Sequence, residues 1–202
     1  MKTSNPLSEL LRISSAPTGL ACSDYELPTG LQPLYKRNGF FAFESALEVF
    51  PIGQSEQSYS LAEWNDERRW VSLYDELRPT GIFFAQSAFG DQFLFNDGIH
   101  LFDPETGEVS HLADSIESWA ERILDDFEML TGQPVAHAWQ SKAGRIPFRS
   151  RLVPITPFVL GGVFEPDNLV AMNAMAGMRL RASLALQIRN LPDGTSVIYK
   201  VA

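Results

Sequence analysis

Hydrophobic residues occur in short blocks along the middle of the chain, and polar turn residues separate the blocks. Residues 81–86 (GIFFAQ) are almost continuously apolar, which indicates a strand buried on both faces. Asp97-Gly98 favours a tight turn, because both residues tolerate a positive φ. Pro104 and Gly107 suit the corners of a second turn. The pattern predicts a meander of hairpins with strands at 81–86, 92–96, 99–102 and 108–112.

Helical spacing of apolar residues marks other parts of the chain. The best example begins after Asp114, where Asp114 and Glu117 have capping-box spacing, and it ends at Thr131-Gly132. Its apolar stripe consists of Ile116, Trp119, Ile123, Phe127 and Leu130. The other predicted helices span 6–13, a short segment around 31–35, 60–76 and 167–190. We expect further strands at 40–51, 157–162 and 195–201, a linker at 14–26, and irregular structure over 133–157.

These elements together predict an α+β fold. A central, mostly antiparallel sheet of about six strands is expected, with helices packed against it. The 202 residues suit a single domain over 1–202, with a core at about 20–132 and a C-terminal extension, 133–202, packed on that core.

Charge is distributed unevenly along the chain. The net charge is −9, but residues 91–128 hold eleven acidic residues against one basic residue, Arg122, whereas residues 129–202 have a basic excess. Because a phosphate backbone is bound through Lys and Arg, this acidity disfavours direct nucleic-acid binding. A basic protein partner fits better, since complementary charge steers association. An acidic face that only keeps the protein in solution would give the same pattern.

The targeting and redox signals are few. The single cysteine, Cys22, precludes an intramolecular disulfide and has no histidine near it in sequence. The first fifteen residues lack the apolar core of a secretory signal, and no run is long enough to span a bilayer. A cytoplasmic protein without membrane contact is therefore expected.

The stretch FGDQFLFNDG contains two aspartates that invite a catalytic interpretation. Asp91 and Asp97 flank a strand of about five residues, so they lie roughly 20 Å apart. That separation is too great for an acid/base pair acting on one bond. Both residues suit turns, and Phe89, Phe93 and Phe95 are expected to share a buried face. We predict no catalytic residues and no cofactor.

A pair of histidines is the best candidate for a metal site. If Asp103 pairs with Glu108 across the turn, His100 lies opposite His111, and a carboxylate such as Asp97 could add a third ligand. Two half-buried sheet histidines explain the same pattern, and no zinc-binding spacing is present. We predict no metal site, and the sequence leaves open whether His100 and His111 form one.

The order of several motifs resembles the SUKH superfamily, which includes bacterial immunity proteins and a fungal cell-wall-synthesis regulator. The motifs are LPTGLQPLYKRNGF, WNDERRW, GIFFAQSAFGDQFLFN, LFDPETGEV, SIESWAERIL and a closing LPDG. The similarity covers about residues 20–132, and the tail resembles an extension found in one bacterial subgroup. Pro33 departs from the pattern, because it falls inside the family's first helix. The resemblance implies an α+β domain without catalytic residues.

The resemblance also implies a function. Many bacterial members neutralise a toxin by tight binding in the cytoplasm of the cell that makes it. With the charge pattern, this predicts a non-enzymatic protein that binds a basic toxin domain through an acidic surface. The expected surface consists of Asp97, Glu105, Glu108, Glu117, Glu121, Asp125 and Glu128. Two alternatives remain, a regulatory or scaffolding module of the cell-wall-regulator type and, more remotely, a metal-dependent hydrolase using His100 and His111. The sequence does not indicate an oligomeric state.

Overall fold

The strands of the main sheet follow one another in chain order, as the hairpin pattern predicts. A computed structural model describes residues 5–20, 25–192 and 194–197. Each strand pairs antiparallel with the next, in the order β1-β2-β3-β4-β5-β6. Two further strands form a separate antiparallel hairpin. The predicted α+β class and the antiparallel sheet of about six strands are confirmed.

The strands are short, and the helices lie before the first strand, between strands and after the last strand. The strands are β1 (Phe40–Ala42), β2 (Leu47–Val49), β3 (Ile82–Ser87), β4 (Gln92–Phe95), β5 (Ile99–Phe102), β6 (Val109–Ala113), β7 (Ser150–Pro154) and β8 (Leu169–Asn173). The α-helices are α1 (Pro6–Ile13), α2 (Leu61–Trp64), α3 (Ile116–Asp125), α4 (Phe127–Thr131), α5 (Gln133–Ala143) and α6 (Ala174–Ile188). Short 3-10 helices span Leu34–Lys36, Val71–Leu77, Phe158–Leu160 and Pro166–Asn168.

Aromatic side chains fill both sides of the main sheet. On one side, the ring of Trp119 from α3 lies edge-on to Phe84 and Phe93, with centroids 5.1 and 5.6 Å away. On the other side, Trp70 packs against Phe83 and Phe102. Burying such rings removes large apolar areas from water, and the rings on both sides belong to one main hydrophobic core.

Three predictions in the first half of the chain are wrong in detail. Residues 40–51 form a hairpin rather than one strand, because the chain turns at Phe43-Glu44-Ser45. The helix predicted for 60–76 is two pieces, the short α2 and the 3-10 helix Val71–Leu77. Around 31–35 the chain forms only the 3-10 helix Leu34–Lys36 after Pro33.

The helix after Asp114 begins one residue later than predicted. Ser115 is its cap, and the reciprocal partner is Ser118 rather than Glu117. The helix is also interrupted at Asp126, whose φ of −135° separates α3 from α4. The predicted end is confirmed, since Gly132 follows α4 with a φ of +70°.

The second half of the chain contains most of the wrong predictions. Residues 133–157 hold α5 and β7 instead of irregular structure, and 157–162 form a 3-10 turn instead of a strand. The predicted helix 167–190 is β8 followed by α6. Of the predicted strand 195–201, residues 195–197 are not extended in a sheet, and the remainder lies outside the described residues. Cys22 also lies outside them.

The C-terminal part packs onto the same side of the sheet as Trp70. Helix α6 lies against the 3-10 helix Val71–Leu77 and against β7. Gly177 permits the contact with β7, because a Cβ there would lie 3.0 Å from Val153 Cγ2. Among the described residues, we find no helix with the length and apolarity that crossing a bilayer requires.

Candidate partner-binding surface

The outer sides of α3 and α4 form an acidic surface, which we define by Glu117, Glu121, Asp125 and Glu128. Glu121, Asp125 and Glu128 are exposed, and Glu117 is half-buried. The opposite side of α3 supplies Ile116, Trp119 and Ile123 to the core, as the predicted stripe requires. The break at Asp126 puts Glu128 on α4, so the acidic surface spans two helices.

No ion pair found in the described part of the chain uses any of these four carboxylates. Arg122 lies on the same helix and is exposed, but it too forms none of those pairs. Like charges four residues apart on a helix cost a few tenths of a kcal/mol each. The acidic surface therefore keeps its charge available to another molecule.

An exposed methionine accompanies the acidic surface. Met129 directly follows Glu128 on α4, and its exposure is 79%, the highest of the large hydrophobic residues in the described part. A flexible, polarizable side chain of this kind suits an irregular apolar contact. Met129 therefore adds an exposed apolar group next to Glu128 in the chain.

Three other carboxylates lie at the two ends of the edge strand β6. Glu108 precedes the strand and Asp114 follows it, and both are exposed. Asp97 is exposed in the β4–β5 turn, and the adjoining Gly98 lies beside Ala113 and His111 of β6. Of the predicted acidic residues, Asp97 and Glu108 are thus surface groups near this strand rather than on α3.

Glu105 is predicted to lie on the acidic surface, but it is buried in the structure. It is only 5% exposed, because the segment around Phe158–Leu160 covers it and the amide of Val159 donates to Glu105 Oε2 at 2.9 Å. The mistake arises because a turn residue is expected to face water, whereas a distant segment folds over this turn.

Glu105 lies instead in a small cavity where four charged residues meet. The cavity measures about 230 Å³, and its charged lining residues are Asp91, Asp103, Glu105 and Arg181. Sequence reasoning placed Asp91 in a turn, which is confirmed, since the Ser87 hydroxyl donates to its carboxylate at 2.7 Å. The sequence did not predict that these three acids lie close to Arg181 of α6, because the turns and the helix are far apart in sequence.

Burial dominates the electrostatics of this cavity. It raises the pKa of Asp91, although the hydrogen bond from Ser87 opposes the change. Burial likewise raises the pKa of Glu105, opposed by the Val159 amide. Arg181 is 2% exposed and its guanidinium donates to the carbonyl oxygens of Phe89 and Gly177. Arg181 thus binds backbone oxygens and compensates the carboxylates only at longer range.

Phe89 faces this region rather than the main core. Its ring packs against Phe158 and Phe164, and it belongs to a smaller hydrophobic cluster with Ile146 and Leu152, whereas Phe93 packs against Trp119 in the main core. The expectation that Phe89, Phe93 and Phe95 share a buried face is therefore wrong for Phe89. Gly90, with a φ of +84°, turns the chain between the two clusters.

The register of the two histidines is confirmed. The Asp103 amide donates to the Glu108 carbonyl at 3.0 Å, and His100 lies opposite His111 with ring centroids 5.4 Å apart. The carboxylate that contacts His111 is that of Asp114, whose Oδ1 lies 3.0 Å from His111 Nε2, rather than that of Asp97. Across the residues described, we find no group of three or more His, Cys, Asp or Glu side chains arranged to hold a metal ion.

The tip of the β1–β2 hairpin is a feature that the sequence did not indicate. Phe43, Glu44 and Ser45 all have positive φ values, of 50°, 56° and 72°, although none is glycine. Helix α5 holds the tip: His137 Nδ1 lies 2.6 Å from Glu44 Oε2, and Gln140 donates to the Glu44 carbonyl. Strained backbone of this kind persists only where its surroundings fix it.

Comparisons with known proteins supply a fold but no function. No family model matches the chain, and no curated protein matches it significantly. Among solved structures, the chain is similar to Atu4351 from Agrobacterium tumefaciens, with a TM-score of 0.55 and 14% identity. The alignment covers 89% of this chain and 87% of Atu4351. At this identity, the likeness shows a shared fold alone.

Proposed function

We propose that this protein is a non-enzymatic binding protein of the immunity type, which neutralises a basic toxin domain in the cytoplasm of the cell that makes it. The observation that carries the proposal is the acidic surface of α3 and α4, whose carboxylates take part in none of the ion pairs of the described chain. Charge that is not compensated internally is available to steer and orient a partner of opposite sign.

Two further features support a protein partner. Exposed Met129 provides an apolar contact beside the charges, and interfaces combine such anchors with a polar rim. The motif order that resembles the SUKH superfamily points to toxin neutralisation as the setting. A polyanion is a poor alternative ligand, because the same carboxylates would repel its phosphates.

The direct experiment uses the product of the neighbouring gene. The protein and that product are expressed together, growth is measured, and the complex is purified at low salt. The proposal predicts that growth is restored and that the two chains purify together. If no adjacent toxin product binds at low salt, the proposal is wrong.

The same experiment distinguishes toxin neutralisation from the regulatory alternative. A scaffolding module of the cell-wall-regulator type predicts several weakly bound partners and no rescue of growth. Rescue by the wild-type protein, together with one dominant partner, would therefore exclude that alternative.

A further inference from the structure

The outer edge of β6 is uncovered on both faces of the sheet. Alternate residues of a strand face opposite sides, yet Val109, Ser110 and His111 are all exposed. At residues 109–111, therefore, no helix or loop of the described chain covers either face of the sheet.

The register identifies the backbone groups that point outward. The Asp103 amide donates to the Glu108 carbonyl, so 103 and 108 form a hydrogen-bonded pair. Because such pairs alternate along an antiparallel ladder, Ser110 bonds inward to Leu101. The amides and carbonyls of Val109 and His111 then face away from the sheet. Within the described residues, none of the hydrogen bonds outside the β5–β6 ladder uses them.

The opposite edge of the same sheet is closed. The amide of Ser15 donates to the Phe41 carbonyl at 2.8 Å, and the Phe41 amide donates to the Ser15 hydroxyl at 3.0 Å. The segment after α1 thus occupies the edge of β1, and the sheet has one covered edge and one open edge.

Strand β6 carries little of the usual protection against further pairing. Its sequence, VSHLA, has no proline and no lysine, which commonly block exposed edges. A register shift makes Leu112 an extra residue on β6, and such a bulge ends regular pairing. The stretch that can accept a new strand is therefore 109–111.

The charges around this stretch specify the occupant. Glu108 lies at one end, and Asp114 and Asp97 lie at the other, all exposed. An extended segment with basic residues on both sides of its paired stretch would complement them. A second copy fits poorly, because pairing 109–111 with the same stretch of a copy brings together two edges with acidic ends, Glu108 and Asp114, and with no lysine or arginine between those ends.

We propose that β6 binds an extended, basic segment of the protein partner, which adds a seventh strand to the sheet next to residues 109–111. The proposal rests on the proposed function, since it takes its basic partner from there. It adds the mode of binding: backbone hydrogen bonds supply the pairing, and the flanking carboxylates select lysine or arginine.

A synthetic peptide tests the edge without the partner. The probe alternates valine and threonine between two terminal lysines, with both ends blocked. Two matched peptides serve as controls: one is N-methylated at every interior residue, and the other has glutamate in place of lysine. Amide hydrogen exchange measured by NMR reports on Val109 and His111.

The lysine peptide should slow exchange of both amides at least tenfold. The N-methylated peptide keeps the charge but cannot pair, so it should give no protection, and the glutamate peptide should give less than the lysine peptide. Equal effects of the lysine and N-methylated peptides, or no protection by the lysine peptide, would overturn the proposal. Protection in the protein alone would also overturn it, because another part of the chain or a second copy would already occupy the edge.

Val109→Pro removes one outward amide and leaves the inward ladder intact, because residue 109 donates no hydrogen bond within the sheet. It should abolish protection of His111 by the peptide, whereas Val109→Thr, which retains the amide, should not.

Binding of the toxin domain to Val109→Pro, together with the peptide experiment, distinguishes this proposal from the proposed function. If the toxin domain binds Val109→Pro as tightly as wild type, the edge proposal fails and the function stands. If no toxin domain binds but the lysine peptide protects the edge, the function fails and the edge proposal stands.

Discussion

The guanidinium of Arg151 contacts the carboxylate of Glu48 in the interior, where both side chains are only 2% exposed. Glu48 also accepts hydrogen bonds from Ser58 at 2.5 Å and from Gln86 at 2.7 Å. Burial lowers the pKa of Arg151 to about 9, which is still above neutral pH. The contact with Glu48 ties the C-terminal hairpin to strand β2.

Arg151→Met should destabilise the protein by about 3–5 kcal/mol, because it leaves the Glu48 carboxylate buried without its partner. Urea unfolding at neutral pH measures this change. The double variant Glu48→Gln/Arg151→Met should recover much of the loss, since neither charge remains. As a control, Arg68→Met removes an arginine whose side chain is 89% exposed, and it should leave the stability almost unchanged. An equally small change for Arg151→Met would contradict the importance of the buried pair.

Gly132→Ala should destabilise the protein more than Gly161→Ala. Both glycines are left-handed, with φ and ψ of 70° and 22° at Gly132 and of 88° and 15° at Gly161, so the backbone strain of a side chain is similar. Only at Gly132 does the new Cβ clash, lying 1.9 Å from Phe89 Cε2, while at Gly161 it meets nothing within 4 Å. We expect about 1 kcal/mol for Gly161→Ala and about 2–4 kcal/mol for Gly132→Ala. Equal midpoints in thermal unfolding would show that the Phe89 contact is not tight.

Glu105→Gln should change how stability depends on pH. Burial raises the pKa of Glu105 in the folded state. A raised carboxyl pKa means that the folded form binds the proton more tightly, so stability falls as the pH rises from about 4.3, the ordinary glutamate value, through the folded pKa. Glutamine removes this fall and can still accept from Val159.

Urea unfolding at a series of pH values between about 4 and 7 measures this effect. The stability of Glu105→Gln relative to wild type should increase with pH over that range. Glu121→Gln, at an exposed site, should not show the trend. A parallel pH dependence for wild type and Glu105→Gln would mean that Glu105 is as well solvated in the folded state as in the unfolded one.

Local signals explain why the centre of the fold could be predicted. The turns at Asp97-Gly98 and around Pro104 specify hairpins by backbone preference, so the register that pairs His100 with His111 follows from neighbouring residues alone. The exposed acids of α3 follow in the same way, because helical spacing separates them from Ile116, Trp119 and Ile123.

Distant contacts explain what the sequence did not predict. Nothing in Phe43-Glu44-Ser45 signals a turn, since none of the three favours a positive φ, and α5 holds the tip in place. Leu169–Asn173 carries residues that also suit a helix, and pairing with β7 makes it a strand. Glu105 is buried by a segment more than fifty residues away in sequence. In each case, tertiary packing overrides the local preference.

The central claim is that the acidic surface of α3 and α4 binds a basic toxin domain, and calorimetric titration of charge-reversed variants tests it most directly. The triple variant Glu121→Lys/Asp125→Lys/Glu128→Lys is compared with Glu26→Lys/Glu56→Lys/Glu165→Lys, which changes the net charge equally at exposed positions outside 91–128. We predict that the first triple weakens binding of the toxin domain at least a hundredfold at low salt, while the second weakens it less than tenfold. Equal affinities of the two triples would contradict the claim.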